Sequence, residues 1–185
     1  MRTPITLADY FGQYKNHPAA QAVVIIRHAT LLLAAVNEYL GLAESDGVEI
    51  EEDPLTGNDI SGTGNGGFRP PDCPVGSPLS SHKDGRGLDH KDVARDLTKW
   101  ALTDGRVHAE RLGLYFEHPQ WTRSWLHSQI GAPLSGARFY VPYTDMVKNP
   151  PTCAPLAEFA AAGVKVFPFI APTVIASGRG STRRT

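Results

Sequence analysis

The sequence is short of cysteine, of net charge and of uninterrupted apolar runs. Two cysteines, Cys73 and Cys153, stand far apart in 185 residues. There is no C-x-x-C pair, which argues against a thiolate zinc site of the finger or ribbon type. The spacing leaves open whether the two pair with each other. Net charge is −1, without the basic footprint that general nucleic-acid binding requires. The terminal Arg179, Arg183 and Arg184 form a short basic stretch, read as a solvated tail. The longest apolar stretch, residues 22–42, is interrupted by Arg27, His28, Asn37 and Glu38. It reads as a buried or amphipathic helix rather than a membrane span. No apolar h-region follows Met1-Arg2-Thr3-Pro4, so no secretory signal is expected and synthesis in a cytoplasm is. No G-x-S-x-G elbow marks a serine hydrolase. Gly64-x-Gly66 lacks the third glycine, the preceding strand and the following helix of a dinucleotide fingerprint. There are no internal repeats.

What remains is an ordinary globular composition, 41% hydrophobic and 20% charged, at a length that suits one domain with a real core. Residues 1–175 are expected to form that domain and residues 176–185 the basic tail. Thr6-Leu7-Ala8-Asp9 reads as a cap opening a short helix through Tyr14. A long helix is expected from about 19 to 43, with Val23, Ile26, Thr30, Leu33, Val36 or Asn37, and Leu40 as its core stripe. Val48–Glu51 alternates like a strand. Residues 54–67 are a glycine-rich loop, and Pro70-Pro71-Asp72-Cys73-Pro74 is an extended crossing, since proline removes donors and restricts its predecessor. Helices are expected over 92–103, with Val93, Leu97, Trp100 and Ala101 inward, and over 106–112, ended by Gly113. Strands at 114–117 and 124–130 form a hairpin, and 137–141 is a further strand. A helix at 156–162 and a strand at 164–167 complete the pattern. Fold class is therefore α+β, a small, mainly antiparallel sheet with N-terminal helices.

The chemistry concentrates in Ser80-Ser81-His82-Lys83-Asp84-Gly85-Arg86-Gly87-Leu88-Asp89, of formula S-x-H-x-x-G-x-G-x-D. His82 and Asp89 are too far apart for one helical face, where ligands fall three or four apart. The spacing suits a loop running into a strand, with glycine permitting φ > 0 at the reversal. An imidazole and a carboxylate make part of a zinc site, which in enzymes takes three protein ligands and leaves one position open. His127 is the best third ligand. One carboxylate leaves a divalent zinc with net positive charge, so it stays a good Lewis acid. His90, next to Asp89, falls on the other face of a strand and reads as structural or exposed; His28 reads as structural. The plain alternative is a glycine-rich surface loop with scattered histidines.

This motif, followed by Trp125-Leu126-His127-Ser128-Gln129 and preceded by Gly67-Phe68-Arg69-Pro70, resembles the zinc D-alanyl-D-alanine carboxypeptidase and L-alanyl-D-glutamate endopeptidase family. That family shares the hedgehog/DD-peptidase fold, and the second motif is similar to a phage-associated branch. The likeness covers roughly residues 20–143. It implies a zinc cofactor held by His82, Asp89 and His127. It also implies that Arg69 polarises a substrate carbonyl or binds a carboxylate, and that Ser80 hydrogen-bonds near the ligands. Trp125 is expected to pack under the site and stiffen it. Two positions depart from the pattern. Gly87 stands in place of alanine, read as a mild change. Ser124 stands three residues before His127, where the family carries the acidic general base, and a serine hydroxyl accepts no proton near neutral pH. Glu117, across the expected hairpin from His127, is the nearest acidic replacement in sequence, provided the register turns it to the same face.

Two functions follow as expectations. The first is a zinc peptidase cutting peptidoglycan stem peptides beside a D-amino acid. The second is a zinc-stabilised structural or cell-wall-binding module that has lost its catalyst, with phage structural proteins as partners. In either case the protein reaches the cell wall after lysis or export, or within a virion. A wholly structural domain without metal is the third reading.

Overall fold

A computed structural model describes residues 2–62, 64–122, 124–133 and 136–140. Cys153, the expected elements at 156–162 and 164–167, Val141 and the basic tail lie outside the described residues. The described chain is mixed α+β, with a four-stranded sheet and helices.

Thr6 opens α1 (Leu7–Phe11) with a reciprocal cap: its side chain accepts from Asp9 N, and the Asp9 carboxylate accepts from Thr6 N. That arrangement satisfies two of the donors a helix start leaves orphaned. A 3₁₀ turn, Gly12–Tyr14, follows, and Pro18–Gln21 forms another before α2 (Val23–Ser45). The buried face of α2 is Ala29, Leu32, Leu33, Val36, Tyr39, Leu40 and Ala43. Val23 is 82% exposed and Thr30 is exposed, whereas Ile26, Leu33, Val36 and Leu40 of the expected stripe lie in or against the core. By length and composition α2 could cross a membrane; in the fold its buried face joins one hydrophobic core, in contact with α1, α4 and β3.

The sheet comprises β1 (Gly87–Lys91), β2 (Leu114–Glu117), β3 (Trp125–Ile130) and β4 (Phe139–Tyr140), in the order β1-β3-β2-β4. β3 pairs antiparallel with both β1 and β2, while β2 and β4 are parallel. Period-two alternation divides the faces. Leu88, His90, Leu114, Phe116, Leu126 and Ser128 are buried on one, where the Tyr39 ring of α2 meets Phe116 at 5.4 Å between centroids. Asp89, Tyr115, Glu117, Trp125, His127 and Gln129 share the other. The outer edge of β1 is met by Asp59, Ser61 and Gly66: Lys91 N donates to Asp59 O, Ser61 N to Asp89 O, and Asp89 N to Gly66 O, each at 2.8 Å.

Two expected elements differ. Residues 48–51 form no strand. Val48 N bonds back to Ala43 O at 2.9 Å, and Val48 and Ile50 pack on the core, so the alternation reflects packing without a partner strand. The helix expected from 92 begins later, as α3 (Asp96–Leu102). Buried Asp92 is its anchor rather than its first residue, accepting from Leu97 N and Thr98 N. Val93, expected inward, is 55% exposed, because it lies in the link before the helix starts. α4 (Gly105–Leu112) ends at Gly113, as its sequence indicates.

Candidate metal centre

Three elements bring the site together. Asp89 on β1 and His127 on β3 are direct cross-strand partners and therefore project from the same face. His82 comes from a 3₁₀ turn, Ser81–Asp84, immediately before β1. Gly85 ends that turn at φ 79°, a left-handed conformation that suits a residue without a Cβ. The turn brings His82 back over the start of β1.

The three candidate ligand atoms converge. His127 Nδ1 lies 2.7 Å from Asp89 Oδ1. His82 Nε2 lies 3.3 Å from the same oxygen and 3.2 Å from His127 Nδ1. Ligands about 2.0–2.2 Å from a tetrahedral zinc would stand roughly 3.3 Å apart, so this donor set fits a metal with small adjustment. His82, Asp89 and His127 could hold a metal ion.

The hydrogen bonds around the ligands set their tautomers. His82 Nδ1 faces the Gly67 carbonyl at 2.7 Å. A carbonyl only accepts, so Nδ1 carries the proton and Nε2 offers its lone pair to the centre. His127 Nδ1 donates to Asp89 Oδ1 without a metal, and its Nε2 faces the Ser81 hydroxyl at 3.2 Å. Arg69 Nη2 donates to the other carboxylate oxygen, Asp89 Oδ2, at 2.9 Å. The Arg69 side chain is 11% exposed, and its Nε donates to Asn65 O. Arg69 thus lies at the site but is engaged with Asp89.

Burial disfavours charge at all three ligands, and their mutual contacts oppose it. For Asp89 burial pushes upward, but His82 and His127 hold the carboxyl far below the usual range. For His127 burial pushes downward, but the Asp89 hydrogen bond and charge, then the charge of Glu117, raise it. For His82 burial wins over Asp89, and its pKa is lowered.

The remaining expected residues fall at different distances from the centre. Phe116 pairs with Ser128; one step along that register sets Glu117 opposite His127. Glu117 also pairs with Tyr140 on β4, so Asp89, His127, Glu117 and Tyr140 make one row across the open face. Ser124 is exposed and precedes β3. Trp125 sits on the site's face, opposite Lys91 and partly exposed. It flanks the centre rather than lying beneath it, because the face beneath is filled by Leu88, His90 and Ser128. Ser80 engages through its backbone, accepting from Lys83 N and donating to Ser77 O; the hydroxyl that reaches a ligand is that of Ser81. Gly87 is not a neutral departure from alanine. A Cβ there would collide with Ser81 Oγ and come within 3.0 Å of His127 Cε1.

Sequence reasoning also missed the Gly67 carbonyl and the Tyr10 hydroxyl, which donates to Gly87 O at 3.1 Å. It missed Tyr140 as well, whose hydroxyl donates to Gln129 Oε1 at 2.7 Å. Backbone acceptors and long-range tyrosines leave no local signal; Ser81 stood inside the motif at its variable position. His90 lies on the core face, as its adjacency to Asp89 implies, with Nε2 2.7 Å from Ser128 Oγ and its pKa pushed down to about 3 by burial. A cavity of about 350 Å³ opens beside α1, lined by residues including Tyr10, Gln13, Asn58 and Gly67, and contains none of the three ligands. Comparisons with protein-family models, curated proteins and solved structures return no match, so the reading of this centre rests on its own geometry and on the motif resemblance.

Proposed function

We propose that the chain is a zinc-dependent peptidase of peptidoglycan stem peptides, built on a hedgehog/DD-peptidase-like fold. The observation that carries the reading is the convergence of His82 Nε2, Asp89 Oδ1 and His127 Nδ1 on one point. A zinc ion held there supplies Lewis acidity and a water that ionises near neutral pH. The chain's own residues do the rest. Arg69 fixes Asp89 and adds positive charge beside a substrate carbonyl. Glu117, in the row next to His127, takes up a proton and delivers it to the leaving amine. Such general acid–base help is typically worth about 10²–10⁴-fold in rate.

Ser124 favours a second reading, a zinc-binding cell-wall or phage-particle module without catalysis, because the residue in the usual place of the base is an exposed hydroxyl. Metal analysis and digestion of peptidoglycan fragments separate the two. One zinc per chain is expected, lost in His82→Ala and in His127→Ala; equal zinc in all three proteins removes the assignment. Glu117→Gln is expected to lower the wild-type rate by about 10²-fold or more if Glu117 is the base. An inactive, zinc-loaded wild type that gains activity on Ser124→Glu identifies the binding module. Robust activity indifferent to Glu117→Gln contradicts both.

A further inference from the structure

We propose that Ser81 is a positioning residue for His127, holding the Nε2–H edge of the ring so that Nδ1 is presented to the metal, and that the missing side chain at Gly87 is what admits it. The inference rests on the metal-site reading above. An imidazole that binds a metal through Nδ1 must keep its proton on Nε2, and that proton needs an acceptor when buried. His127 is buried, and Ser81 Oγ is 3.2 Å from its Nε2. Ser81 is the first residue of the turn that carries His82, so one turn supplies a ligand and the holder of another. The turn is itself pinned, with Arg86 N donating to Ser81 O at 2.8 Å. Gly87 lies beneath the hydroxyl. Its Cβ would overlap Ser81 Oγ and press to 3.0 Å from both Ser81 Cβ and His127 Cε1.

The order Ser81 Oγ, His127 Nε2, His127 Nδ1, Asp89 Oδ1 is also that of a hydrolase triad. The surroundings favour positioning. Asp89 Oδ1 and His127 Nδ1 both lie within 3.3 Å of His82 Nε2, and Asp89 Oδ2 is taken by Arg69, so the carboxylate serves a shared centre rather than one histidine. The Gln129 side chain also reaches His127, and its Oε1 already accepts the Tyr140 proton.

Zinc affinity by competition with a chelator, and the His127 ring tautomer by long-range ¹H–¹⁵N NMR with and without zinc, test this on the full chain. Ser81→Ala is expected to weaken zinc binding about 10–100-fold and to shift the Nε2–H signal of His127. Gly87→Ala should do the same by displacing the hydroxyl. Ser81→Thr, which keeps the hydroxyl, should restore the tautomer signal and most of the affinity. Unfolding of the metal-free variants identifies any that fail to fold. A wild type that binds no zinc removes the metal reading and this one with it. A wild type that binds zinc beside an equally tight Ser81→Ala removes this one alone. So does a loss of affinity that follows Gln129→Met instead, or Ser81-dependent labelling of metal-free protein by a fluorophosphonate.

Discussion

Asp89 divides its two carboxylate oxygens between two tasks. Oδ1 faces both histidines and Oδ2 accepts from Arg69, and a charge-assisted bond of that kind fixes the plane of the carboxylate. Arg69→Ala is therefore expected to weaken zinc binding, by about 10–100-fold as for other supports of a metal ligand. If Arg69 acted on substrate alone, metal affinity would be unchanged and only KM or kcat would move. His127 sets the pH dependence. Burial lowers its pKa, but Asp89 and then Glu117 raise it above the ordinary histidine value, so without metal the ring holds its Nδ1 proton on Asp89. Metal must displace that proton. Zinc affinity is expected to fall as pH drops through the raised pKa; titrations at about pH 8 and about pH 5.5 check this, and a flat profile would exclude His127 as a ligand.

At the scale of elements, the central strand does the organising. β3 carries His127 on one face while Leu126 and Ser128 enter the core on the other, and its two antiparallel partners bring Asp89 and Glu117 to either side of that histidine. A one-residue slip of either pairing would turn its carboxylate to the other face. Register is protected by the buried residues of all three strands. α3 depends on a single side chain. Asp92 is 2% exposed and accepts from Leu97 N, Thr98 N and the Thr98 hydroxyl. Asp92→Ala would leave those donors unpaired in a dry environment, at a cost of about 2 kcal/mol. Denaturant unfolding measures it, and a change below about 0.5 kcal/mol would show that water replaces the carboxylate.

For the whole molecule, the sheet separates two jobs. Its core face packs against the Tyr39 side of α2, with Tyr39 also meeting Trp100 of α3 at 4.8 Å between ring centroids. Its open face carries Asp89 and His127, two of the three candidate ligands. A metal there would tie the turn before β1 to both β1 and β3, so binding adds to folding free energy. Zinc at about a hundredfold excess over Kd is expected to stabilise the protein by about 2.7 kcal/mol, or roughly 5–10 °C in Tm for a domain near this size. A chelator should reverse the shift, and His82→Ala should abolish it; zinc-induced stabilisation that survives His82→Ala would place the metal elsewhere.

Local patterns in the sequence determined much of this. The Thr6 cap, the Gly113 stop, the hairpin formed by β2 and β3, and the mainly antiparallel sheet were legible because capping and period-two alternation act within a few residues. His82, Asp89 and His127 were legible as a set that could hold a metal ion, because metal chemistry admits few residue types. Tertiary structure alone decided what depends on contacts between distant segments. It set which positions of α2 are covered, left residues 48–51 without a partner strand, and made Asp92 an anchor instead of a first helical residue. It also gave Arg69 to Asp89 and chose Ser81 over Ser80. The two serines are identical in chemistry and adjacent in sequence; only the turn that sets Ser81 against Gly87 brings one hydroxyl, and not the other, to the edge of His127.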